Sequence, residues 1–251
     1  KGLLGRDNYT SGTIIKLVVL SLGLQTVAAL LSTILATILE ALGVSPALPN
    51  LTVNLESPLS NLLLYSYACI LGPILEELLY RGFLLQSLRK YNERMAIFIS
   101  ALIFGLMHEN YQQFILGFLI GIPLAIVTIK CGSIVPAILT HIFVNTTATL
   151  TNLLMAYFSP TEYTNLLNGT IDIENMGTEM IIIIILNAIF RYGSMIAALV
   201  IGIVSLVKGK NMSKPTPAGK SRGIPLLFTS FIWILIFGYY IFINFIAPFV
   251  M

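Results

Sequence analysis

The sequence predicts an all-α fold: a polytopic transmembrane bundle of about seven membrane helices with a cytoplasmic N-terminus. Three observations lead there. Of 251 residues, 57% are hydrophobic and only 10% charged, whereas a soluble globular domain carries about a quarter charged residues. Apolar runs approaching or exceeding the ~20 residues needed to cross a hydrocarbon core recur along the chain. The basic residues between those runs fall on one side only.

In order, the runs cover residues 13–42, 58–88, 95–107, 114–129, 133–157, 179–207 and 224–250. The third is short and leads into His108-Glu109-Asn110, so it crosses only by continuing into a polar, protein-lined interior. Lys1, Arg6 and Lys16 precede or open the first run, and Arg89, Lys90 and Arg94 follow the second. Lys130 follows the fourth; Lys208, Lys210, Lys214, Lys220 and Arg222 follow the sixth. The alternate connections hold Glu40, Glu56, Glu109, Glu162, Asp172 and Glu174 without a Lys or Arg. The positive-inside rule then puts the C-terminus outside.

The whole chain, 1–251, reads as a single integral-membrane domain. Residues 208–223 form a basic cytoplasmic linker that sets topology and meets anionic lipid. Residues 159–177 form an acidic external loop. Gly117 and Gly121 make a small-xxx-small face, which lets two helix backbones approach closely. Cys69 and Cys131 offer no disulfide framework. Position 1 is Lys rather than Met, which raises the expectation of an upstream segment and of an eighth helix there. No leading stretch has the form of a removable signal peptide.

The rest is organised around residues 70–83, where Glu76, Glu77 and Arg81 interrupt an apolar run. Ionisable side chains at membrane depth are costly and read as functional by default. Glu77 and Arg81 are four apart, share a helix face and can pair; Glu76 lies ~100° away and stays free. A partly desolvated carboxylate of that kind suits a general base working near neutrality. Pro73 leaves the Cys69 carbonyl without its helical donor and invites a kink. An ion pair that merely locks helices together is the plainer reading of the trio.

His108 and His141 are the only histidines, and both sit in or at the end of apolar runs. Each has a companion four residues away, Phe104 and Asn145. At ~1.5 Å per residue, Glu76, His108, His141 and Asn145 all fall in one slab near mid-membrane. A Glu and a His converging on a water form a general-base pair. A second His and an Asn amide can donate to the oxyanion that develops when a peptide carbonyl is attacked. The same atoms suit a divalent metal such as zinc, with Glu76, His108 and His141 as ligands, although no HExxH signals one. Cys69 lies seven residues before Glu76 on the same face, but nothing acidifies its thiol. No GxSxG elbow is present. Arg191, mid-span in the sixth run, pairs with an acidic neighbour such as Glu109 or anchors a substrate carboxylate.

Glu76-Glu77-x-x-x-Arg81, Phe104-x-x-x-His108 and His141-x-x-x-Asn145, in that order, resemble the three signature motifs of the CAAX-protease and bacteriocin-processing (CPBP, or Abi) family. That family includes the Ras-converting CAAX endopeptidase, and its prototype has eight membrane helices. The resemblance covers residues 59–154. It implies an intramembrane glutamate-type endopeptidase whose cavity opens toward the cytoplasm. Glu76 and His108 would activate water, His141 and Asn145 would form the oxyanion hole, and Glu77 and Arg81 would support them. The expected partners are a peptide or protein precursor and the lipid bilayer, not nucleic acid, and no cofactor is required unless the metal set is used. Short loops and an Ile- and Asn-rich composition suggest a bacterial plasma membrane, and with it leader, pheromone or bacteriocin peptides rather than prenylated CAAX proteins. The rival class is a non-catalytic membrane module for bacteriocin immunity or partner binding. A transporter is disfavoured because no pair of broken, inverted-repeat helices is visible.

Overall fold

A computed structural model describes residues 9–43, 57–108, 110–167, 170 and 172–209, and among them every regular element is helical. Helix α1 spans Ser11–Ala41 and opens on a Thr10/Thr13 capping box. Helix α2, residues 58–88, is one rod in five parts: α-helical Pro58–Ser66, π-helical Tyr67–Leu71, α-helical Gly72–Glu77, π-helical Leu78–Leu84 and α-helical Leu85–Leu88. Helix α3 is Glu93–Leu106, α4 Tyr111–Cys131, α5 Val135–Phe158, α6 Pro160–Leu167 and α7 Thr178–Gly209.

Among the described residues four helices are long and apolar enough to cross a membrane: Ser11–Ala41, Leu59–Leu88, Tyr111–Cys131 and Thr178–Val204. Two others fall short for different physical reasons. Helix α3 has 14 residues, a length of ~21 Å, which is less than the ~30 Å hydrocarbon thickness. Helix α5 has 24 residues but carries Thr140, His141, Asn145 and Thr149 along its length, and its apolar character is diluted by the site it builds. The seventh run, 224–250, and the linker 208–223 (apart from the end of α7) lie outside the described residues.

Helices α3 and α4 form an antiparallel hairpin joined by a turn at His108. Asn92 caps α3 by accepting from the Met95 amide at 3.0 Å, and Asn110 caps α4 by accepting from the Gln113 amide at 2.8 Å. The Gly117/Gly121 face does what its spacing suggests. Gly117 lies against Gly105, and Gly121 against Ala101. A Cβ at Gly105 would stand 2.8 Å from the Phe114 carbonyl oxygen and 3.0 Å from the Phe118 nitrogen, backbone atoms that cannot swing away. Gly105→Ala should therefore push the hairpin apart and cost about 1–3 kcal/mol. A lowered unfolding midpoint in detergent is the expected result.

Three apolar clusters hold the helices around the site. Leu17 and Leu22 of α1 meet Ile120, Leu124 and Val127 of α4 and Val144 of α5. Tyr80, Leu84, Leu85 and Leu88 of α2 meet Ala96 and Phe104 of α3 and Ala125 of α4. Tyr65, Ala156 and Tyr163 close the end where α2, α5 and α6 come together. Helix α7 lies along α1, and at Gly23 there is no room for a Cβ beside Ser194 and Ala198.

Candidate active site

The site begins with a backbone defect in α2. Pro73 has no N–H to give. The preceding turn does not stay α-helical: the Gly72 amide donates to the Tyr67 carbonyl five residues back. In that wider register the carbonyl that Pro73 leaves orphaned belongs to Ala68, not to Cys69 as α-spacing implies. Asn145 of α5 fills the gap, its Nδ2 donating to the Ala68 oxygen at 3.0 Å. Cys69 Sγ donates to Thr149 Oγ1 at 3.2 Å and fastens the same turn to α5. The π turn also rephases the helix, so Cys69 is buried and away from the cavity that Glu76 lines. Asn145→Ala should leave a membrane-buried carbonyl unsatisfied, at a cost of about 1–3 kcal/mol. Its midpoint should fall even in a protein that carries no substrate.

The two carboxylates diverge, as their spacing requires. Glu77 and Arg81 are fully buried, with Arg81 Nε 3.2 Å from Glu77 Oε2. This is an ion pair without hydrogen-bond alignment. The guanidinium lies 4.3 Å above the Phe104 ring, a cation–π contact, and Nη2 donates to the Gly121 carbonyl at 3.4 Å. The other oxygen of Glu77, Oε1, is 3.0 Å from His141 Nδ1. Glu77 thus ties α2 to α5 as well as to its own helix. The Glu76 side chain is 37% exposed, yet its Oε2 is buried with no hydrogen-bond partner among the described residues. A native buried polar atom in that state calls for a reason. Glu76 Oε2 faces His141 Nε2 at 3.7 Å, beyond hydrogen-bond reach.

Both imidazoles are oriented through Nδ1. His108 Nδ1 is 2.9 Å from the Phe104 carbonyl, and a carbonyl only accepts, so that nitrogen carries the proton. Neutral His108 then presents an Nε2 lone pair. His141 Nδ1 faces a carboxylate, which imposes the same tautomer. Phe104 stands between them, edge-on to His108 at 5.2 Å and to His141 at 5.5 Å. Its carbonyl fixes one ring, its edge packs both, and its face carries Arg81. The spacing to His108 marks Phe104 as a companion in the sequence but says nothing of this central place.

Glu76, His108, His141 and Asn145 line one cavity of about 600 Å³. Glu77 and Arg81 are packed out of it, fully buried. The remaining wall is mixed: among apolar side chains such as Leu116, Ile120 and Val144 stand Gln25 from α1, Gln112 and Gln113 from α4, Asn152 from α5 and Arg191 from α7. Arg191 Nε donates to Asn187 Oδ1 at 2.9 Å, and no carboxylate pairs with it among the described residues. Glu109, the partner expected from the sequence, lies outside them. No three His, Cys, Asp or Glu side chains among the described residues are grouped so as to hold one metal ion.

Comparison with known proteins adds one finding. Residues 58–147, which contain all three motifs, match the family model described as Rce1-like, type II CAAX prenyl endopeptidase. No curated protein and no solved structure matches the chain.

Proposed function

We propose, on the premise that residues 58–147 match the Rce1-like family of type II CAAX prenyl endopeptidases, a match that supports a membrane protease, that the chain hydrolyses a peptide bond with a water activated by Glu76 and His108. The observation that carries this reading is the single cavity lined by Glu76, His108, His141 and Asn145. His108 Nε2 offers a lone pair, and Glu76 has an unpartnered carboxylate oxygen. Together they take the proton that water loses as it attacks. Asn145 spends one amide N–H on Ala68 and keeps a second for the developing oxyanion. His141 Nε2 can donate there only when both ring nitrogens are protonated, and Glu77 supplies the counter-charge at Nδ1.

The substrate is a small membrane-associated precursor: a leader, pheromone or bacteriocin peptide, or a CAAX-type C-terminus. The host membrane is the bacterial plasma membrane, with the cavity open to the cytoplasm. The test is the purified full chain in liposomes, offered a prenylated CAAX peptide and peptide precursors encoded beside its gene, with products read by mass spectrometry. Site-specific cleavage of one of them is expected. Tight binding with no cleavage of any would leave the non-catalytic membrane module in its place.

The reading needs no metal, so a strong chelator should change the rate less than about twofold. A rate lost to the chelator and restored by zinc alone would replace the water-activating pair with the Glu76, His108 and His141 ligand set.

A further inference from the structure

We infer that Arg191 forms a carboxylate-binding subsite in the cavity, a role that rests on the protease reading and adds to it the charge of the substrate. Arg191 sits mid-span in α7, and an arginine at that depth calls for a partner. Among the described residues lining the cavity it is the one Lys or Arg. Its position is braced from two helices: Ser194 Oγ of α7 donates to its backbone oxygen at 2.7 Å, and Thr26 Oγ1 of α1, its one proton shared with the Leu22 carbonyl, lies 3.2 Å from it. The Nε bond to Asn187 steadies the guanidinium from one side.

Among the described residues the guanidinium makes no other hydrogen bond, which leaves four of its five N–H groups for a ligand. Arg81 shows the contrast: it is fully buried, and Glu77, Phe104 and Gly121 occupy it. A planar fork of donors fits a carboxylate bidentately, which a neutral amide side chain cannot match. Elsewhere on the wall, Gln25, Gln112 and Gln113 give hydrogen bonds without charge. Glu76 repels an anion at the reaction end. A peptide carrying one carboxylate is therefore drawn into a defined direction, with its anionic group on Arg191 and the bond to be cut toward Glu76. That carboxylate is either the free C-terminus or an acidic side chain.

Binding can be read without cleavage, using the full chain with Glu76→Gln in nanodiscs and dye-labelled prenylated peptides followed by anisotropy. Three peptides separate the sources: a free acid, its C-terminal amide, and the amide with one Asp near the C-terminus. The free acid, or the Asp-bearing amide if the side chain is the ligand, should bind about tenfold or more tighter than the plain amide. Adding Arg191→Gln should shrink that preference below about twofold without weakening the plain amide. Arg191→Lys should keep part of it. Equal binding of all three peptides overturns the subsite without any further variant, and so does an Arg191→Gln protein that weakens them alike. The two readings fail separately. A preference that depends on Arg191 in a protein whose Glu76 form cuts nothing keeps the subsite and removes the protease. Cleavage of acid and amides with equal KM does the reverse.

Discussion

Glu76→Gln is expected to lower the rate of peptide cleavage by about 10³-fold or more, within the range that general-base catalysis supplies, with little change in folding. Both halves follow from the surroundings of one oxygen. Glu76 Oε2 has no hydrogen-bond partner among the described residues, so the fold loses no bond when it becomes an amide. The amide has the same shape but cannot take a proton from water. His108, His141 and Asn145 remain in place around the same cavity, and residual turnover reflects their binding and oxyanion contacts. Initial rates with a fluorogenic precursor peptide, alongside an unfolding midpoint, check the result. A variant that unfolds, or one that cleaves as fast as the parent, contradicts the assignment.

The second large effect is expected one residue later and has the opposite character. Glu77→Ala should destabilise the protein by about 3–5 kcal/mol, because it strands a fully buried guanidinium without its counter-charge. That is a large share of the ~5–15 kcal/mol that holds a typical domain together, so loss of the monodisperse protein is the expected outcome. Replacing both partners, Glu77→Leu with Arg81→Met, removes the stranded charge and should recover most of the stability. It should not recover activity, since His141 Nδ1 then has no carboxylate to set its tautomer. Stability restored together with full activity would reduce Glu77 to a packing residue. This pair of measurements separates holding the helices from aiming the imidazole.

Much of this arrangement is legible in the sequence because it depends on local periodicity. Four-residue spacing pairs Glu77 with Arg81 and turns Glu76 away, and the structure shows both. Gly117 and Gly121 announce a close helix contact, and Ala101 and Gly105 supply its other half. What periodicity misses is a change of register. Counting four back from Pro73 points to Cys69, whereas the π turn moves the orphaned carbonyl to Ala68 and takes Cys69 off the face of Glu76. The Glu77–His141 bond joins residues 64 apart in the chain, and no spacing rule reaches that far. The membrane crossings are legible only where a helix is both long and apolar. The 133–157 run reads as a crossing in the sequence, yet the polar groups that α5 presents to the cavity keep it less apolar than the four long helices.

The most direct test of the central claim is a single turnover of the purified protein on its peptide in ¹⁸O-enriched water. If Glu76 and His108 activate water, the new carboxylate carries one ¹⁸O from solvent, Glu76 carries none, and Glu76→Gln forms labelled product about 10³-fold or more slowly. An ¹⁶O in the product transferred from the protein, or labelled product formed as readily by Glu76→Gln, would contradict it.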